Sequence, residues 1–258
     1  MPASVKSSPK IFPQFAKISL ALAFLLFLLS FGVVKSDRND VHPTSSRAQA
    51  AAKNVRAPLS RDLAANGLRF GDPVFIRIIK EEGVLEFFVQ EPRKKTFKLF
   101  RTYHIAAMSG RLGPKERQGD LQAPEGFYYV PPARLNPNSR FHLSFNLGYP
   151  NEYDQAYHRT GDHLMVHGNR VSIGCFAMTD KKIEEIYTLC DAALRNGQKF
   201  FRVHSFPFRM TNERLTEERG NPWWSFWKNL KEGYDLFEKN KVPPNVRVEN
   251  KRYVFDAR

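Results

Sequence analysis

The sequence predicts an α+β protein built on β-sheets, closed by a C-terminal helix and short hairpin and preceded by an N-terminal membrane anchor. Three observations carry this expectation. Short β-branched and aromatic runs bounded by turn residues recur from residue 67 onward. One amphipathic helix stands late among them, and many strands with few helices is the α+β pattern. An uncharged apolar run occupies 18–34. The chain of 258 residues is long enough for one sizeable core plus appendages, since single cores stop growing near ~250–300 residues. With 42% hydrophobic and 26% charged residues it has the composition of a folded protein, which excludes disordered and fibrous classes. The formal charge of +14 favours an anionic partner without choosing among nucleic acid, lipid headgroups and acidic polymers.

The run at 18–34 is preceded by Lys6, Lys10 and Lys17 and reads as an export signal or a membrane anchor. Its length and the lack of a small-x-small site after Gly32-Val33-Val34 favour an uncleaved anchor, with the lysine-bearing end in the cytoplasm and the body exported. The expected divisions are therefore an anchor at 1–35, a linker at 36–66, a catalytic domain at 67–205 and a C-terminal extension at 206–258. The linker reading rests on a polar, Ala/Ser-rich composition with no sustained apolar period. Export removes nucleic acid as a partner and puts cell-wall polymer or lipid in its place.

Within the body, Phe75 to Lys80 and Val84 to Val89 form a hairpin around Glu81-Glu82-Gly83, and Lys98 to Ile105 alternates as a further strand. Gly110 to Gly126, rich in Gly, Pro and charge, is loop. Phe127 to Val130, Phe141 to Phe145, Leu164 to His167 and Lys199 to His204 are later strands. Thr179-Asp180 caps a helix over Lys181 to Asn196 that is stopped by Gly197, with Ile183, Ile186, Tyr187, Cys190 and Leu194 on one stripe. A second helix starts at Asn221-Pro222 and reaches about Glu238. Its Trp223, Phe226, Trp227, Leu230, Tyr234 and Phe237 fall on helical spacing and read first as packing, with a cleft wall as the alternative. Residues 242–256 form the terminal hairpin.

The chemistry concentrates in Met165-Val166-His167-Gly168-Asn169-Arg170-Val171-Ser172-Ile173-Gly174-Cys175. An ordinary thiol, with a pKa near ~8.5, is only partly ionised at neutral pH, so a nucleophilic cysteine needs a base, a cation or a helix N-terminus beside it. His167 and the helix after Asp180 supply two of these. If Leu164 to His167 is a strand and the following loop turns back, imidazole and thiol face one cleft. Amides around Gly174 and Cys175 can then converge on an oxyanion. Gly174 permits the turn, and Gly168 allows a close approach beside the histidine. Ser172 reads as a turn-fixing hydroxyl that also lies within reach of substrate, as does Asn169. His142, Tyr149 and Asn151 are expected along the cleft, with ordinary packing as the alternative. Cys190 faces the core, so a bridge to Cys175 is not expected. His158, His163 and His167 with Cys175 match no zinc signature, so neither metal nor cofactor is expected.

His167-Gly168 followed by Ser172-x-Gly174-Cys175 resembles the L,D-transpeptidase catalytic domain, also called the YkuD domain, over about residues 70–205. Ala123-Pro124-Glu125-Gly126 is similar to that family's Thr-Pro-x-Gly turn, with Ala123 in place of threonine. Leu135 to Arg140, His142 to Asn151 and Cys175 to Asp180 look similar to the YafK-like branch nearly residue for residue. The resemblance implies a β-sheet fold around a Cys/His site, in which Cys175 attacks an amide of a peptidoglycan peptide stem and His167 relays the proton. It leaves two outcomes open: transfer of the acyl group to an amine, or hydrolysis of the link between diaminopimelate and the major outer-membrane lipoprotein. Ala177 stands where transpeptidases usually carry an arginine. It further implies a cell-envelope protein with a periplasmic catalytic domain. A membrane-tethered wall-binding protein with a degenerate site is the alternative from another class.

Overall fold

The computed structural model describes Met1 and residues 42–256. The anchor expected at 18–34 lies outside them, and among the described residues no helix is long and apolar enough to cross a membrane. The described chain is α+β with a sheet-rich core. It runs α1 (Ser46–Ala65), β1 (Val74–Ile79), β2 (Val84–Gln90), β3 (Phe97–His104), β4 (Gly126–Val130), a 3-10 turn (Pro132–Arg134), β5 (Leu135–Asn136), β6 (Ser144–Asn146), α2 (Glu152–Ala156), β7 (Met165–His167) and β8 (Phe176–Ala177). It continues through α3 (Asp180–Arg195), β9 (Phe201–Phe206), α4 (Asn212–Glu217), α5 (Trp224–Asn240), β10 (Asn245–Glu249) and β11 (Arg252–Asp256).

Five strands form one sheet in the order β3-β2-β1-β9-β4, and β5-β6-β7-β8 form a smaller one. The β1/β2 hairpin pairs Val74 with Val89 through Ile79 with Val84, as the turn at Glu81-Glu82-Gly83 requires. β9 returns parallel to β1 and antiparallel to β4. Alternation then sorts the side chains by face. Ile76, Ile78, Leu85, Phe87, Tyr128, Phe201 and Val203 join Leu59, Leu63, Ile183, Ile186 and Leu189 in one core under α1 and α3. On the opposite face, Ile79, Phe127 and Phe206 meet Trp227, Leu230 and Tyr234 of α5, while Phe75 and Phe88 meet Phe237. The aromatic stripe of α5 is therefore core packing.

The structure differs from the linker reading at 36–66. Residues 46–65 form α1, which packs against α3. Ser45 caps it, its hydroxyl accepting from Ala48 N at 3.1 Å. Ala51, Leu59 and Leu63 are buried and Val55 partly so, a thin stripe at four-residue spacing on an alanine-rich helix. Pro58 inside the helix is the element that argues against helix in the bare sequence, at a cost of about 3 kcal/mol for an interior position, and burial on α3 offsets it. The strands of the small sheet are shorter than expected, and β5, β8, α2 and α4, none longer than six residues, are too short to leave a periodic pattern in the sequence.

Candidate active site

β7 and β8 are parallel neighbours joined by residues 168–175, with His167 opposite Ala177 and Val166 opposite Phe176. Parallel strands usually need a crossover of a dozen or more residues. This loop turns back in less because Asn169 (φ 64°) and Gly174 (φ 122°) adopt left-handed backbone, and because the strands it joins are two and three residues long. In this register His167 and Cys175 belong to one face of the small sheet, as diagonal neighbours at its end.

The loop holds itself in shape with its own polar groups. Ser172 Oγ donates to Cys175 O at 2.7 Å and accepts from Gly174 N at 3.2 Å. The serine hydroxyl is thereby engaged within the turn. Asn169 N donates to Asp180 Oδ1 at 2.7 Å, and its side-chain oxygen accepts from Arg170 N. Thr179 N donates to Asn169 O at 2.9 Å, so the loop is tied to the first turn of α3. Gly168 is demanded by space: a Cβ there would lie 2.7 Å from Phe141 O and 2.6 Å from Asp180 Oδ1. Its N–H donates to Phe141 O and Leu143 O at 3.0 and 3.1 Å.

His167 is 2% exposed. Its Nδ1 lies 2.5 Å from Gly168 O, and because a carbonyl only accepts, Nδ1 carries the proton and Nε2 the lone pair. The Phe141 ring lies against the imidazole, centroids 4.6 Å apart. Burial pushes the imidazole below its ordinary pKa, against a smaller upward pull from the Gly168 carbonyl. Burial also pushes the Cys175 thiol up, opposed by the Met165 amide and the positive charge of Lys115. The thiol accepts from Met165 N at 3.4 Å and donates to His163 O at 3.5 Å, contacts that occupy it in place of the imidazole. Burial thus favours the neutral form of both groups, and His167 and Cys175 share one face at the end of the small sheet.

Lys115 is the component that the sequence did not reveal. It is 4% exposed, and its Nζ bonds Asp120 Oδ1 at 2.5 Å and Arg117 O at 2.9 Å. In sequence it is one lysine in a Gly/Pro/charge loop, where solvated lysines look the same. The other expected positions divide. Tyr149 stands beside Lys115, its hydroxyl donating to Lys115 O at 3.2 Å, so it backs the site. His142 adjoins Gly168, but its Nε2 is held by Glu184 Oε1 at 2.8 Å. Asn151 is the cap of α2, accepting from Asp154 N, and its amide donates to Phe127 O and Tyr253 OH at 3.0 and 2.9 Å. Its side chain serves the junction with the terminal hairpin. Both cysteines are free thiols, and Cys190 is buried in α3.

The family model described as the L,D-transpeptidase catalytic domain (YkuD) matches residues 94–199, from the approach to β3 through the site to the end of α3. "Putative L,D-transpeptidase YafK" of Escherichia coli K12 is 40% identical over 239 residues, covering 92% of this chain and 89% of that protein. The protein of the same name in Escherichia coli O157:H7 matches to the same extent. Among solved structures, the helical cell shape determining protein Pgp2 of Campylobacter jejuni gives a TM-score of 0.42 at 20% identity, over 70% of this chain and 64% of that one. Bd1075 of Bdellovibrio bacteriovorus gives 0.36 at 15%, over 69% and 78%. With the Cys/His site inside the matched region, the chain belongs to the L,D-transpeptidase family.

Proposed function

We propose that this protein is a cysteine acyl-transfer enzyme acting on peptidoglycan peptide stems, with Cys175 as nucleophile and His167 as acid and base. The reading is carried by the 2.5 Å contact between His167 Nδ1 and Gly168 O, which assigns the tautomer. The Nδ1 proton is committed to Gly168 O, so the free lone pair is on Nε2, at the end of a strand whose parallel neighbour is entered through Cys175. As the Cys175 sulfur attacks the stem carbonyl, its proton passes to Nε2 and a C–S bond forms. Collapse of the tetrahedral species breaks the C–N bond, and His167 returns that proton to the leaving amine. The thioester is then opened by an amine or by water, which gives its proton to His167, and the thiol is restored. The Cys175 amide stabilises the oxyanion, an interaction worth about 2.7–4 kcal/mol per donor.

A second reading is hydrolysis of the diaminopimelate–lipoprotein link. It is favoured by Ala177, which is fully buried and bonds Ala107 in both directions, so that no side chain projects there to hold a donor stem as an arginine would. The family's wall substrate and the run at 18–34 support a cell-envelope location, with the catalytic domain periplasmic and tethered at the inner membrane. The test is mass spectrometry of wall sacculi with and without attached lipoprotein, incubated with the protein and with Cys175→Ala. Lipoprotein release by the active form alone identifies the amidase. New crosslinks between diaminopimelate residues, or fresh lipoprotein attachment, identify the transferase. Unchanged pools return the wall-binding alternative.

A further inference from the structure

A groove of about 670 Å³ opens between β4, β9 and the β10/β11 hairpin, and neither Cys175 nor His167 lines it. Its wall is a row of four flat groups. The Arg134 guanidinium lies 4.9 Å over the Tyr129 ring, Tyr129 meets Phe200 at 5.3 Å, and Arg202 lies 5.0 Å over Phe200. The guanidiniums are already bonded: Arg134 to Tyr129 O at 2.6 Å and Arg202 to Asn245 Oδ1 at 2.8 Å. Arg247, also in the lining, pairs with Asp256 and Glu249. The groove therefore offers planes and hydrogen-bonding edges more than free positive charge, which argues against a phosphate clamp. At its inner end His204 is 1% exposed between Phe75 and Phe127, and its Nε2 has no hydrogen-bond partner. Burial and the charges of Arg202 and Arg77 hold that imidazole below its ordinary pKa, so it forms the apolar floor of the groove.

We propose that this groove binds the glycan of the polymer whose stems the thiol attacks, an inference that rests on peptidoglycan being the substrate. Pyranose rings bury their C–H faces on flat side chains and satisfy hydroxyl and N-acetyl groups with planar polar ones, and the lining supplies both. The spacing agrees. Arg134 immediately precedes β5 and Cys175 immediately precedes β8, at opposite edges of the four-stranded sheet. Three interstrand steps of about 4.8 Å separate them by roughly 14 Å, the length of about four extended residues at ~3.4 Å each. A stem leaving a sugar in the groove thus reaches the thiol.

The test is titration calorimetry of the full-chain protein with a soluble β-1,4-linked N-acetylglucosamine tetramer, and separately with a sugar-free stem peptide. The tetramer is expected to bind saturably and about tenfold more weakly to Tyr129→Ala, with Arg134→Gln as a second variant, at unchanged melting temperature. No saturable binding, equal affinity in both variants, or a loss confined to the stem peptide would overturn the assignment. Saturable tetramer binding together with a stem peptide that leaves no adduct on Cys175 by intact-protein mass spectrometry would count against the thiol chemistry and leave the groove standing, and a Cys175 adduct without tetramer binding would do the opposite.

Discussion

The two faces of the five-stranded sheet are covered by different physics. Toward α1 and α3 it presents Ile76, Ile78, Leu85, Phe87 and Val203, all essentially dry and without polar groups to satisfy. Toward α5 it buries Arg77, Glu86 and His204 among aromatic rings. Arg77 Nε donates to Glu86 Oε2 at 2.5 Å, Arg209 donates to Glu86 Oε1 at 2.8 Å, and Glu238 of α5 closes the set. Apolar burial is non-directional and tolerant, whereas buried charges contribute little net stability but penalise wrong pairing. The aliphatic face makes a stiff bed for the small sheet and its thiol. The charged face sets the position of α5 and leaves room beside the hairpin for the groove.

Substitutions can break this comparison. The largest effect is expected at the site above the aliphatic face. Cys175→Ala should abolish acyl-enzyme formation, a loss of at least about a thousandfold in turnover, with the melting temperature unchanged. Next is Lys80, whose Nζ donates at 2.9 Å to Arg111 O, Gly113 O, Ala123 O and Glu125 Oε1, while Glu125 also accepts from Trp227 Nε1. Lys80→Ala leaves a fully buried carboxylate without its charge partner and should cost about 3–5 kcal/mol in urea denaturation. On the aliphatic side, Leu63→Ala should cost about 2–5 kcal/mol through the cavity it leaves. An unfolding free energy unaffected by that change would mean that α1 is not part of the stable body.

Arg47 sharpens the comparison. From α1 its Nη1 donates to Ser139 O at 2.7 Å and His142 O at 2.8 Å, holding the loop whose Phe141 lies on His167. Arg47→Ala should cost about 1–2 kcal/mol and slow capture of Cys175 by a neutral electrophile, with partial recovery in Arg47→Lys. Equal capture rates in all three proteins would show that α1 does not position the imidazole. The smallest effect is that of pH. His167 and His204 both have depressed pKa values, so the unfolded chain binds more protons as pH falls below about 6.5. Stability should therefore decline on acidification from pH 7 to pH 5, and His204→Phe should flatten that slope. Cys175 capture should instead rise with pH beyond the ordinary thiol range, because burial raises the thiol.

The candidate site was more legible than its surroundings, in that the structure brings its proposed residues onto one face of the small sheet. His167, Gly168, Gly174 and Cys175 lie within one continuous stretch, and chemistry that needs a thiol, a base and two close approaches leaves those residue types in order. Helix α3 was legible because Ile183, Ile186, Tyr187, Cys190 and Leu194 make a complete stripe. Helix α1 was not, since only Ala51, Leu59 and Leu63 are fully buried and Pro58 breaks the pattern. Lys115 and the Lys80–Glu125 pair depend on contacts between residues far apart in sequence, which periodicity does not record. Asn151 illustrates the converse: a polar residue in a family-like stretch whose amide is spent capping α2 and bonding Tyr253.

The proposed chemistry has the Cys175 thiol, activated by His167, take an acyl group from a peptidoglycan stem. Its most direct test is intact-protein mass spectrometry of the full chain mixed with purified stem-bearing wall fragments and quenched in acid over a time course. A thioester adduct on Cys175 of the mass of the donor acyl group is expected, absent in Cys175→Ala and formed far more slowly in His167→Ala. Wall products that form at the same rate in Cys175→Ala, or an adduct that forms equally fast without His167, would contradict this chemistry.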